Sequence, residues 1–338
     1  MITSIICFWF SFLLTTFSMP FFIRYMHYLQ KQGQPIREDG PQTHFAKQGT
    51  PTMGGVLILL VILLTCLLFI PINNPYVLIT LFVMAGFGLI GFEDDFCKLK
   101  RHSSNSGITG KKRLFFEFLI GGIATCLALS FLPEIFSTKV YIPLVHYWLP
   151  LNIFYVAFAA FLLAGTTNAV NLTDGLDGLV SLPLIIVFFC LCFIASACSD
   201  ASLSTLFHFG YNPQINVLCP IACAAIGALG GFLIFNHKPA EIFMGDVGAL
   251  GLGGMIGIMA ILTKSEILFG IICLLFVIEA LSDIIQVSVY KKTGKRIFLM
   301  APIHHHFEKK GWSEQKVVFT FWLFAIAMAF LGFFIGVL

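Results

Sequence analysis

Charge is the scarcest property of this sequence. Of 338 residues, 17 are Asp or Glu and 20 are Lys or Arg, 11% together, against 58% hydrophobic residues and a mean hydropathy of +0.92. A water-soluble domain carries about 25% charged residues, so that class is excluded and the bilayer is the expected solvent. The net charge of +3 supplies no basic surface for a polyanion, and no nucleic-acid partner is expected. Cations are also missing ahead of the first apolar run: the first is Arg24, after the stretch Thr3–Ile23. A cleaved signal peptide has a basic n-region there, so this stretch is read as a span. No repeat, low-complexity tract or flexible linker interrupts the chain, and 1–338 is read as a single domain. The ten cysteines show no framework spacing; most lie in apolar runs and are expected to pack as small hydrophobes.

What is abundant is the long apolar run. A membrane-crossing helix needs about 20 mostly apolar residues, and the candidate stretches are Thr3–Ile23, Met53–Ile70, Tyr76–Phe92, Leu114–Leu132, Leu151–Thr167, Leu179–Ala197, Gln214–Phe235, Val247–Leu262, Ile267–Tyr290 and Val317–Leu338. They are continuous, not alternating, which predicts helices instead of a barrel. The expected fold is therefore an all-α polytopic membrane protein with about ten transmembrane helices.

Ten spans create nine loops, and the cations choose among them. Arg24, Lys31, Arg37 and Lys47 fall in the first loop, Lys98, Lys100, Arg101, Lys111, Lys112 and Arg113 in the third, and Lys238 in the seventh. Lys291, Lys292, Lys295, Arg296, Lys309, Lys310 and Lys316 fall in the ninth, leaving only Lys139 and Lys264 in even loops. By the positive-inside rule the odd loops face the cytoplasm and both termini face outward. The even loop Leu132–Pro150, with three prolines and several aromatics, reads as an interfacial hairpin or short amphipathic piece.

Every strongly polar cluster lies in an odd loop. Gly91-Phe-Glu-Asp94-Asp95-Phe-Cys-Lys98 sets acids where a span ends, with a cation one turn on. Neighbouring helical residues point about 100° apart, so Asp94 and Asp95 are expected to have separate partners. A solvated helix end with internal ion pairs is the plain alternative. Asn168-Ala-Val-Asn171-Leu-Thr-Asp174-Gly-Leu-Asp177-Gly178 has acids without a cation, suiting a polar ligand or cation close to backbone, or else a helix cap and turn. In Asn236-His-Lys-Pro-Ala-Glu-Ile-Phe243-Met-Gly-Asp246, Asp246 is either an N-cap or one of the few carboxylates that Mg²⁺ requires beside phosphates and water. The run His304-His305-His306 is too closely spaced for a structural zinc site and suits phosphate binding or proton transfer better. Glu117, Glu279, Asp283 and Gln286 sit within or near spans, where ionisable groups are expensive. Glu117 is expected to pair near the interface, and Asp283 with Gln286 to line a polar cleft.

Taken in order, Gly49-Thr-Pro-Thr-Met-Gly-Gly55, Asp94-Asp95-Phe-Cys-Lys98, Asn168 to Leu179, Phe243-Met-Gly-Asp246 and Pro302-Ile-His-His-His306 resemble the polyprenyl-phosphate N-acetylhexosamine-1-phosphate transferase superfamily, in its phospho-N-acetylmuramoyl-pentapeptide-transferase branch. That resemblance implies a ten-helix fold with a cytoplasmic active-site cleft in the bacterial inner membrane, commonly homodimeric. It implies Mg²⁺, the substrates UDP-N-acetylmuramoyl-pentapeptide and undecaprenyl phosphate, and the products lipid I and UMP in peptidoglycan synthesis. Carried over by position, Asp246 resembles the Mg²⁺ ligand and Asp94 the base or phosphate-handling acid, with Asp95 beside it and His305 as a further catalytic candidate. Lys98 and Lys111 match phosphate-contacting lysines. Lys47, Thr52, Asn168, Asn171, Asp174, Asp177, Asn236, Phe243, Gln286, His304 and His306 match the substrate cleft, with Phe243 suited to stacking on uracil. Two other expectations stay open: a sister transferase carrying N-acetylglucosamine 1-phosphate to the same lipid, and an ion-coupled transporter, which would place its site at the bilayer midplane.

Overall fold

Asn74 starts one of the helices that carry the site: its side chain accepts a hydrogen bond from the Tyr76 N–H at 2.9 Å, and Pro75 takes the first helical position, where a missing N–H costs nothing. Such local signals set the ends of a bundle that is otherwise apolar from end to end. The computed structural model describes residues 1–30, 49–101 and 107–337. Its helices are α1 (Ile2–Leu29), α2 (Gly54–Phe69), α3 (Pro75–Lys100), α4 (Gly110–Leu129), α5 (Phe154–Thr173), α6 (Ser181–Ser199), the short α7 (Ala201–Leu206), α8 (Leu218–Asn236), α9 (Gly245–Leu262), α10 (Glu266–Ile272), α11 (Leu274–Thr293), α12 (Ile303–Lys309) and α13 (Glu314–Val337).

The ten expected spans all correspond to helices, but not all have the dimensions of a span. Seven helices are long and apolar enough to cross a membrane, and α10 with α11 makes an eighth if that pair, bent by 80°, is one span. The expected straight run Ile267–Tyr290 is thus broken at Cys273. The other two fall short for identifiable reasons. α2 has 16 residues, about 24 Å at 1.5 Å per residue, and α4 opens with Lys111, Lys112 and Arg113 and carries Glu117 a turn later. The region expected to be an interfacial hairpin or amphipathic piece is a β-hairpin, β1 (Lys139–Ile142) antiparallel to β2 (Tyr147–Pro150), with Tyr141 opposite Trp148. It is the one departure from all-α structure among the described residues.

α9 is the axis of the bundle. Apart from Asp246, all its residues are buried, which matches a helix apolar on every side. α3, α5 and α2 all pack against it. Two close approaches need glycine: a Cβ on Gly55 of α2 would run into the Gly248 backbone, and one on Gly91 of α3 would run into the carbonyl of Asp246. Small residues of this kind let helix backbones meet where lipid gives no hydrophobic drive between helices. At the periphery, α1 and α13 expose Trp9, Phe17, Phe21, Phe330 and Phe334, as lipid-facing helices do. Lys264, one of the two cations in even loops, is not a surface charge. Its Nζ lies 3.0 Å from Glu266 Oε1 and 3.7 Å above the Tyr155 ring, and it donates to the Ser137 carbonyl at 3.1 Å.

Candidate active site

Continuation of α3 past the apolar run decides the geometry. The helix does not end near Phe92 but runs to Lys100, so Asp94, Asp95 and Lys98 lie on a regular helix and their separate directions are fixed. Lys98 Nζ lies 2.6 Å from Asp94 Oδ2, one turn back, and 2.9 Å from Asp246 Oδ2 in the first turn of α9. Asp94 also accepts from the backbone N–H of Ile108 at 2.6 Å. Asp95 points elsewhere, accepting from the Val247 N–H at 3.2 Å. The expected division between the two acids therefore holds. Asp246 makes no N-cap: the N-cap position belongs to Met244, without a side-chain bond. Its carboxylate is free to face Lys98 while the positive end of the α9 dipole favours its charge.

A second cation joins from α4. Arg113 Nη1 lies 3.4 Å from Asp246 Oδ2, its Nε 3.0 Å from Glu117 Oε1, and its Nη2 donates to Asn168 Oδ1 at 3.1 Å. The Asn168 amide donates in turn to Glu117 Oε2 at 2.6 Å. Glu117 is thus a buried counter-ion that orients Arg113, and the chain of contacts ties α4, α5 and α9 together. The C-terminal end of α3 and the N-terminal ends of α4 and α9 meet here. The transporter expectation of a midplane site does not describe this cluster.

Behind the ion pairs lies a second set of side-chain oxygens. Gly245 adopts φ +77°, and a Cβ there would stand 2.6 Å from Asp95 Oδ2 and 2.9 Å from Thr52 Oγ1, so the Gly49–Gly55 loop reaches the start of α9. That loop is fixed by Gln30, whose amide donates to the Thr52 carbonyl at 3.1 Å and accepts from the Thr52 N–H at 2.9 Å. Thr52 Oγ1 is itself buried without a partner. Removal from water, then the nearby charges of Asp246 and Asp95, push the Asp174 carboxyl well above the usual carboxylate range. Among the described residues no three His, Cys, Asp or Glu side chains form a ready-made metal cage.

The histidine run packs against the segment that carries Asp174. A Cβ on Gly175 would run into His304 Nε2, so α12 lies against the segment next to Asp174. His304 is fully buried, with Nδ1 3.0 Å from Glu279 Oε2, and its Nε2 has no hydrogen-bond partner. His305 Nδ1 lies 2.7 Å from Glu308 Oε2, and His306 Nδ1 accepts from the Leu299 N–H at 3.0 Å.

Several expected cleft residues turn out to hold the backbone of the site. Asn236 accepts from the Gly178 N–H at 3.1 Å and from Ser181 Oγ at 3.2 Å, and donates to the Ile242 carbonyl at 2.9 Å. Asp177 Oδ2 accepts from the Ala240 N–H at 3.1 Å, and Gln286 accepts from Ile297 and Phe298 and donates back to Phe298. Half-buried Phe243 is anchored by its backbone to Pro51 and Gly54. Asn171 lies half-buried at the end of α5, and Lys111 is exposed on α4. Lys47 lies outside the described residues. Arg113 and Glu117 were the residues that sequence reasoning undervalued; their spacing of four on a helix was the available signal.

A family model described as glycosyl transferase family 4 matches residues 76–264, more than half of the chain. A signature described as phospho-N-acetylmuramoyl-pentapeptide-transferase signature 1 matches residues 47–59. The first match contains Gly91, Asp94, Lys98, Arg113, Asn168 and Asp246; the second contains Thr52 and Gly55, whose backbone meets α9.

Proposed function

The chain belongs to glycosyl transferase family 4, and from that membership, with the signature at 47–59, we propose that it transfers phospho-N-acetylmuramoyl-pentapeptide from its UDP derivative to undecaprenyl phosphate, releasing UMP and forming lipid I. The observation that carries this reading is the Lys98 bridge between Asp94 and Asp246 with Arg113 beside it. Phosphoryl transfer needs positioning and compensation of oxygen charge more than covalent help from protein, and this cluster places two cations and several carboxylates at one end of a membrane bundle.

In the proposed reaction an oxygen of the lipid phosphate attacks the sugar-linked phosphorus, and the bond from that phosphorus to the UMP oxygen breaks. Lys98 and Arg113 exchange part of their carboxylate contacts for phosphate oxygens, which they stabilise as charge shifts to the leaving UMP. Asp94 takes any residual proton of the attacking phosphate and holds its oxygen in line. Direct attack is preferred to a covalent route because a phosphate monoester is already anionic near neutral pH. A trapped phospho-Asp94 in a single turnover would overturn that choice. Asp95, on the backbone of α9, positions the Asp246 turn.

The residues present fit a Mg²⁺ ion. Mg²⁺ is held by one or two carboxylates plus substrate phosphates and water, Asp246 is the proposed ligand, and the charge that Asp95 and Asp246 impose on Asp174 is what a divalent cation relieves. When bound, it supplies Lewis-acid compensation of the diphosphate. Phe243 is assigned to the uracil face, and His305, with Thr52, Asn171 and His306, to the substrate cleft. The reading is completed by a homodimer in the bacterial inner membrane with this end toward the cytoplasm. One assay tests it: purified protein, Mg²⁺, undecaprenyl phosphate and either UDP-N-acetylmuramoyl-pentapeptide or UDP-N-acetylglucosamine, with UMP and lipid product measured. Turnover of the muramoyl substrate alone is expected. Turnover of only the second would establish the sister activity, and no UMP from either would refute the proposal.

A further inference from the structure

The opposite end of the bundle carries a cavity that phosphoryl transfer does not use. It has a volume of about 270 Å³ and lies between the β-hairpin and α7, lined by Tyr141, His146, Trp148, His208 and Tyr211 among others. Two histidines from segments 62 residues apart in sequence (208 − 146) meet in it, their ring centroids 4.2 Å apart. Both occupy the left-handed backbone region, His146 at φ 47° and His208 at φ 53°. That conformation is uncommon for non-glycine residues, and strain of this kind collects where side chains are aimed for a purpose. The Tyr141 hydroxyl fixes the His146 ring through Nδ1 at 2.9 Å. This leaves His146 Nε2, both nitrogens of His208 and the Tyr211 hydroxyl without a hydrogen bond among the described residues; with one N–H on each neutral imidazole, the His146 ring (Nε2–H when Tyr141 donates to Nδ1), the His208 ring and the Tyr211 O–H offer donors suited to phosphate oxygens.

An apolar slot adjoins this polar cavity. Phe209 lines both the histidine cavity and a slot between α6, α10 and α13, whose other walls include Phe193, Phe207, Ile272, Ala329 and Phe333. Phe207 stacks on Phe209 with centroids 5.6 Å apart and meets Phe333 at 5.9 Å. A polar chamber rimmed by Trp and Tyr, at the helix ends where such residues mark the membrane boundary, therefore shares Phe209 as a common wall with an apolar slot. We propose that this end of the protein binds a membrane phospholipid, with the phosphodiester head between His146, His208 and Tyr211 and one acyl chain in the Phe207–Phe333 slot. A free phosphate would use the chamber alone and a diacylglycerol the slot alone; the adjacency of the two at Phe209 argues for a molecule that has both parts.

The test is native mass spectrometry of the full-length protein, delipidated in detergent and titrated with dioleoyl phosphatidylglycerol. The wild type is expected to retain one lipid that His146→Ala/His208→Ala and, separately, Ala329→Phe bind at least tenfold more weakly. Dioleoylglycerol is expected to bind at least tenfold more weakly than the phospholipid, and millimolar inorganic phosphate is expected not to displace it. Equal lipid retention by the wild type and the histidine double variant would overturn the proposal. Equal binding of dioleoylglycerol, or displacement by phosphate, would overturn the two-part site. UMP release checks that each variant is folded, and if Ala329→Phe fails that check, Cys190→Phe blocks the slot from the facing helix.

Discussion

Lys98 and Asp246 stand 148 positions apart in the chain and 2.9 Å apart in the fold. This one ion pair joins the end of α3 to the start of α9 and sets the resting state of the site: each carboxylate that Lys98 holds, Asp94 and Asp246, is a group the proposed reaction needs. Substrate phosphates must compete for the lysine, and a divalent ion for Asp246. Charge is thus stored in internal pairs until a ligand with matching charge replaces them.

Asp246→Asn keeps the shape of the side chain and removes its charge. Loss of one charge-stabilising group in an active site lowers turnover by about 10²–10³-fold, and at least that loss of Mg²⁺-dependent UMP release is expected. The helical circular dichroism of the detergent-solubilised variant should remain that of the wild type. Turnover within about threefold of the wild type would remove Asp246 from the mechanism.

Arg113 and Lys111 separate orientation from attraction. Arg113 engages Asp246, Glu117 and Asn168 at once, a forked geometry that lysine does not reproduce. Arg113→Lys is therefore expected to lower kcat by at least about tenfold. Lys111 is exposed and acts at most as a solvated charge that attracts anions, an effect salt screens within about 10 Å at 0.1 M. Lys111→Ala is expected to raise KM for the UDP-sugar, with kcat unchanged, and to lose that difference at high salt. Steady-state kinetics at two ionic strengths checks both, and a kcat defect in Lys111→Ala would place it on the reacting phosphate.

How much of this was legible in the sequence depends on the range of the interaction. The Asp94–Lys98 pair follows from helical spacing, and the divergence of Asp94 from Asp95 follows from the turn angle. The helical fold follows from apolar runs whose backbone must satisfy itself in lipid. The 80° break at Cys273 was not legible, because no proline marks it and Gly270, three residues before it, sits inside the regular α10 turn of an otherwise apolar run. Nor was the backbone-holding role of Asn236: its partners Gly178 and Ile242 belong to two loops and Ser181 to the start of α6, and an amide reads alike in sequence whether it faces a ligand or a loop. The span count was blurred where α4 carries its charges, since those residues both begin a helix and build the site.

Gly91 links helix packing to the placement of a charge. A methyl group there meets the carbonyl of Asp246, so Gly91→Ala must push α3 away from the start of α9 and lengthen the Lys98–Asp246 contact. Overpacking of this sort costs about 1–3 kcal/mol, and UMP release is expected to fall more than tenfold. Gly122→Ala on α4 has open space around it and is expected to match the wild type in both melting temperature and activity. If the two substitutions behave alike, the close approach of α3 to α9 does not govern the site.

The His304–Glu279 pair gives a test that separates support from chemistry. Both side chains are fully buried and 3.0 Å apart, and His304 rests on Gly175, beside Asp174. Glu279→Ala removes the one hydrogen bond that the buried imidazole makes among the described residues and leaves Nδ1 unpaired as well as Nε2, which costs about 1–3 kcal/mol and loosens the loop that carries Asp174. Glu279→Gln keeps an acceptor oxygen for an Nδ1–H donor and is expected to recover most of the stability. If the pair serves only to hold the loop, Glu279→Gln should also recover most of the turnover, and activity across the series should follow melting temperature. If Glu279→Gln melts like the wild type yet turns over as slowly as Glu279→Ala, the charge on Glu279 acts in the reaction through His304, and the loop-holding account fails.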